Sequence, residues 1–207
     1  KIEAFMKRQS GFVSGTSIEY FPSYICMGQE NQHLATGYKI GQRFHSAQAT
    51  RVADGMSQHL GHLVKADGRW RIFLFGGAQD PTEISSSAYQ FVDFLANDAS
   101  SPVLKYTPKG ADVDSAIDTY AVFQQQGLSM HNLHDYIWPA KGKYGLRDYE
   151  KAFHAQIGND LYDLRGINRE DGCVVIVRPD QHIASILPVT AHEEVFSFFD
   201  TFMIEQG

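Results

Sequence analysis

After Arg71 the stretch WRIFLF, residues 70 to 75, is an unbroken apolar run. A run this short and this apolar predicts a strand buried on both faces, in the middle of a sheet. Asp67-Gly68 marks the turn into it. Further on, Ala88, Phe91, Val92 and Leu95 recur at i, i+3, i+4 and i+7, the stripe of an amphipathic helix. Asp80 as N-cap, Pro81 at the first helical position and Glu83 at the third predict a helix that begins at residue 81. Ser100-Ser101-Pro102 then ends the unit. Residues 115–125 are β-branched and aromatic enough for a strand, and 127–147 read as a loop with turns. RDYEKAFHAQI, 147–157, predicts a helix. Two apolar runs within 172–189 flank Arg178-Pro179-Asp180-Gln181, a hairpin. Val195, Phe198, Phe199, Phe202 and Met203 share one stripe and predict a final helix.

From residue 70 the predicted order is β-α-β-α-β-β-α, an α/β class with the order of a thioredoxin-like fold, its first βαβ unit right-handed. Residues 67–207 form that core. Residues 1–66 are read as a β-rich extension that lengthens or covers the sheet, with a hairpin at Asp54-Gly55. No repeat or low-complexity linker interrupts the chain, so residues 1–207 are expected to make one domain. A thioredoxin carries its reactive cysteines at the turn after the first strand. Here that turn is Gly76-Gly77-Ala78-Gln79-Asp80-Pro81, with no cysteine. Asp171-Gly172-Cys173 stands where a thioredoxin has a cis-proline. The two cysteines, Cys26 and Cys173, make no C-x-x-C, no disulfide framework and no cysteine zinc site. One long-range bridge stays open, but a reduced cytoplasmic setting with Cys173 as a small core residue is preferred. Thiol exchange needs a nucleophilic and a resolving sulfur, so redox catalysis is not expected.

Nine histidines raise the question of a metal. His59 and His62 would fall on opposite faces of a strand. His131, His134 and Asp135 in MHNLHDYIW are the candidates for acid–base work if the chain is an enzyme. The preferred reading is that His134 and Asp135 tie down a loop while Trp138 packs on the core. Arg178 and Asp180 read as a surface pair in a turn. Glu193-Glu194 suit the start of the last helix through its dipole. No G-x-S-x-G, G-x-G-x-x-G or P-loop is present, so neither a serine elbow nor a nucleotide cradle is expected. Hydrophobic residues make up 43% and charged residues 20%, a globular composition. The net charge of −6, with no basic block, argues against nucleic acid. No run is long enough for a membrane helix and no secretory signal is visible at KIEAFMKRQS. The first residue is Lys1, which predicts a chain trimmed, processed or cut from something longer. Tyr20, Tyr24 and Tyr38 suggest an interface, because tyrosine suits half-buried surfaces.

Taken together, GTSIEYFPSYI, GYKIGQRFHSAQATRVADG, KADGRWRIFLFGG, HDYIWPAKGKYG and GCVVIVRPDQHIASILP resemble the C-terminal domain of the flavin-dependent phenol 2-monooxygenases, the phenol hydroxylases. The resemblance runs from about residue 11 to the last helix. It implies a thioredoxin-like domain without the dithiol, associated with dimerisation, that follows FAD-binding and substrate domains. FAD belongs to those upstream domains, so the resemblance assigns no catalytic, cofactor or metal residue here. The expected partners are a second copy or flavin-monooxygenase domains. The alternative is a stand-alone thioredoxin-like protein that binds or transforms a small aromatic or polyketide-like molecule, its small-molecule ligand unknown.

Overall fold

The computed structural model describes residues 18–45 and 47–206. Its centre is β3 (Trp70–Phe75), which pairs parallel with β4 (Ile117–Phe123) and antiparallel with β8 (Cys173–Val177). Side chains alternate across a strand. Ile72 and Leu74 therefore enter one core while Phe73 and Phe75 enter the other. β8 splits the same way, Val174 and Ile176 against Val175 and Val177. Both faces being buried explains why these strands read as continuous apolar runs.

β7 (Ala152–Ala155) adds parallel to β4, and β9 (Ile183–Leu187) adds antiparallel to β8. The hairpin of β1 (Gln48–Arg51) and β2 (Ser57–His59) continues the sheet beyond β7, giving the order β2-β1-β7-β4-β3-β8-β9. The first face carries α1 (Ser87–Asn97), α2 (Pro102–Tyr106) and α4 (His192–Asp200). The second carries α3 (Leu161–Arg165) and the irregular segment from residue 18 to 45, through Cys26, Leu34, Tyr38 and Phe44. That segment also covers the edge strand: Met27 N–H donates to the Ala184 carbonyl (2.7 Å) and Gly41 N–H to that of Ile183 (2.8 Å). An edge covered in this way offers fewer free groups to another chain. β5 (Ala140–Lys141) and β6 (Leu146–Arg147) form a separate two-stranded arm.

The thioredoxin-like order, the central strand and the terminal hairpin are as the pattern predicts. Four local expectations are corrected. The helix after the turn begins at Ser87, not residue 81: Ser86 Oγ accepts from Tyr89 N–H (3.2 Å). The Asp80 carboxylate serves a turn instead, accepting from Thr82 N–H and Oγ1–H (2.9 and 2.8 Å). A helix from 81 would lay Ile84 on the Ala88 stripe, one turn before it, yet Ile84 is exposed. Residues 152–155 are a strand, not a helix. Ala152 and Phe153 bury on opposite faces, which a helical stripe cannot do, and both β4 and β1 pair with the segment. Ser101-Pro102 opens α2 instead of ending a unit, with Ser101 as its cap. Tyr38 is no surface residue: it is fully buried and stacks on Phe44, and burial pushes its phenol well above the usual range.

Candidate interaction surface

The turn after β3 is the position where thiol chemistry would sit. Gly76 N–H donates to the Val122 carbonyl (2.8 Å), and Tyr162 Oη–H donates to the carbonyls of both Gly76 and Val122 (2.9 Å each). Ala78 N–H donates to the Glu170 carbonyl (3.0 Å). A Cβ on Gly77 would run into that same Glu170 carbonyl, and one on Gly172 into the carbonyl of Phe75. Gly172 also has φ of 70°, where a side chain is strained. The turn is therefore closed by backbone lying on backbone.

Both cysteines are buried and free. Cys173 pairs with Phe75 across the sheet, and burial drives its thiol pKa far up; burial also raises that of Cys26. Neither holds a thiolate at neutral pH.

Of the histidine candidates, His131 is exposed on a 3₁₀ turn, and with Asp135, Trp138, Arg147 and Tyr149 it lines a recess of about 240 Å³. His134 instead turns to α1: its Nδ1 accepts from Tyr136 N–H (3.2 Å), its Nε2 lies 3.4 Å from Asp93, and the Tyr89 ring meets it edge-on. Asp135 is exposed, and the Trp138 indole N–H donates to the Met130 carbonyl (3.2 Å). The two imidazoles thus have different surroundings. His59 and His62, expected on opposite faces, come together with ring centroids 5.4 Å apart, because the strand stops at His59 and a 3₁₀ turn follows. Among the described residues, no group of three His, Cys, Asp or Glu could hold a metal ion.

Sequence reasoning missed a buried charge cluster. It lies at the starts of the parallel strands β3, β4 and β7, the opposite end of the sheet from the glycine turn. Arg71 and Asp118 are wholly buried and Lys151 nearly so. Arg71 donates to both Asp67 oxygens (2.8 and 2.7 Å). Arg69 joins Asp67 (2.8 Å) to Asp118 (3.3 Å). Lys151 reaches Asp118 and, at 3.0 Å, Asp114; Lys141 reaches Asp114 (2.7 Å) and Asp148 (3.2 Å). Tyr120 Oη–H donates to Asp118 (2.9 Å). Four cations thus face four carboxylates, so the cluster is neutral, as burial demands. Burial opposes the charge of Lys151, but Asp118, Asp114 and Asp148 outweigh it and hold its pKa above 10.5. Burial likewise works against Asp114, and Lys141 and Lys151 hold it below 3.8. The one legible signal was Arg71 inside an apolar strand.

The cluster anchors the β5–β6 arm. Lys141 is its first tie; Gly142 N–H donates to Asp112 Oδ1 (2.8 Å) and Arg147 to the Trp138 carbonyl (2.7 Å). Beyond these ties Tyr144 and Leu146 are 77% and 70% exposed. A second apolar feature lies between residues 23–27 and α4. It is a cleft of about 690 Å³ on Tyr24, Met27 and Phe198, with Glu193 and Glu194 among its lining. Phe21 and Tyr24, 85% and 83% exposed, lie in the same N-terminal segment. Exposed apolar surface of this kind is a mark of protein interaction sites and of ligand-binding grooves.

A thioredoxin-like sheet whose turn after β3 is closed and thiol-free, with apolar features left on its surface, is the class of domain these observations define. The chain belongs to the phenol hydroxylase C-terminal dimerisation domain family, whose model matches residues 18–207. It is 38% identical over 208 residues to the 3-hydroxybenzoate 4-monooxygenase of Comamonas testosteroni, covering 98% of this chain and 33% of that protein. It is 35% identical over 214 residues to the FAD-dependent monooxygenase terD of Aspergillus terreus, covering 99% and 34%. The chain therefore spans about a third of the length of these curated relatives. Among solved structures, the C-terminal domain of an uncharacterized protein from Bacteroides fragilis matches with TM-score 0.50 and 8% identity, over 79% of this chain and 99% of that one, a likeness of fold alone.

Proposed function

We propose that this chain joins two copies of a flavin-dependent aromatic monooxygenase, in the cytoplasm, and carries no chemistry of its own. FAD and the aromatic substrate belong to domains outside this sequence. Membership of the dimerisation family carries the reading, and the closed, thiol-free turn and the exposed apolar cleft support it. Among the described residues, no helix is long and apolar enough to cross a membrane.

The test is the mass of the chain in solution by light scattering over a wide concentration range. The expected species is twice 23.2 kDa. A strict monomer at every concentration overturns the reading.

A further inference from the structure

We propose that a second copy of this chain seats its β5–β6 arm in the cleft beside α4, and that the contact is made twice about a two-fold axis. The inference rests on the assembly reading above and names its surfaces.

The arm is built to be held out. An isolated two-stranded hairpin is marginal in water, yet this one is tied at Lys141, Gly142 and Arg147. Its turn is set by Gly142 and Gly145, with φ of 64° and 61°. A tip fixed before contact loses little conformational freedom on docking. What it presents is an apolar pair, Tyr144 and Leu146, beside Lys143, whose Nζ stands 4.8 Å from the Tyr144 ring centroid.

The cleft is the complement. Its floor is apolar and its charges, Glu193 and Glu194, are both negative; no basic residue lines it. Its volume of about 690 Å³ leaves room for the tip of the arm, Tyr144 and Leu146 together, and not one side chain alone. Two chains of net charge −6 repel at long range, so a specific pairing needs local patches of opposite sign. Lys143 against Glu193 and Glu194 supplies them.

The placement allows reciprocity. Trp138 at the base of the arm and Phe198 on α4 belong to the core on the same face of the sheet. The arm ties to the β4–β7 side through Asp114, and the cleft lies on the β9 side, where Met27 bonds Ala184. A two-fold axis along the strand direction puts each arm opposite the other copy's cleft, an isologous contact.

The experiment is a charge exchange read by sedimentation. Lys143→Glu and Glu194→Lys are each expected to weaken the dimer by about tenfold or more, and the two together to restore it. Circular dichroism checks that each variant is folded. Independently, a mixture of Tyr144→Cys and Ser197→Cys chains is expected to form a disulfide between copies under mild oxidation. The native Cys26 and Cys173 are buried and stay silent. If the unaltered chain is a dimer but neither variant weakens it and no cross-link forms, the arm–cleft contact is wrong and the assembly reading stands. If the unaltered chain is a monomer, both fall together.

Discussion

Asp118 is a carboxylate with no exposure, held by Lys151, Arg69 and a tyrosine hydroxyl. Removing one partner of such a buried set leaves the others uncompensated, at a cost of about 3–5 kcal/mol. Asp118→Asn is expected to lower the unfolding free energy from urea titration by that amount, while Asp54→Asn, at an exposed pair whose Arg51 keeps Glu150, lowers it far less. The pH dependence follows from the same cluster. Asp67, Asp114 and Asp148 are all held below 3.8 in the fold. A depressed carboxylate contributes stability above its unfolded pKa and loses it as the pH falls through the folded value. Stability is therefore expected to hold from neutrality down to about pH 5 and to fall below about pH 4, with a shallower fall in Asp114→Asn. Lys151, held above 10.5, adds the opposite limb, lost as the pH rises past that value. The sequence could not show this cluster. Its members lie on three strands and three loops, and only the lone Arg71 in an apolar run hinted that a partner had to be nearby.

Among the elements, those whose apolar period was strong were legible, and the rest were decided by tertiary pairing. β3, the terminal hairpin and the α4 stripe follow from side-chain period alone. β7 does not: Ala, Lys and Glu favour a helix, but a slot between β4 and β1 was waiting for four extended residues, and sheet context overrode propensity. The start of α1 was misplaced because Asp80-Pro81 is as good a cap signal as Ser86, and only the fate of Ile84 separates them. Ser86→Ala is expected to cost about 1 kcal/mol in thermal unfolding, the usual worth of a lost N-cap. Asp80→Ala loosens a surface turn and is expected to cost less. The arm looked like a plain loop in the sequence, since strands of two residues each leave no period to read.

At the scale of the molecule, one sheet separates two cores, and each cysteine belongs to the core beneath the N-terminal segment. A thiol there meets reagent only when that layer opens. Native protein is expected to resist alkylation at Cys26 and Cys173, both reacting promptly in denaturant, as mass spectrometry would record. Rapid native labelling of both would mean that residues 18–45 lift off as a unit, and of Cys26 alone that only its own stretch of that segment opens. The candidate surface was partly legible: Tyr20 and Tyr24 stay exposed as expected, whereas the cleft needs α4 and residues 23–27 side by side, a meeting no local pattern announces.

The closed glycine turn also has a bearing on descent. Gly77 and Gly172 belong to different segments, and each forbids a side chain through the other's neighbourhood. A cysteine arriving at Gly77 would find no room until the loop at 170–172 had first been rebuilt, and that rebuilding would confer no benefit without the cysteine. Two changes that are useful only together are rarely made one at a time. While these two backbones stay closed on each other, position 77 is barred to a thiol.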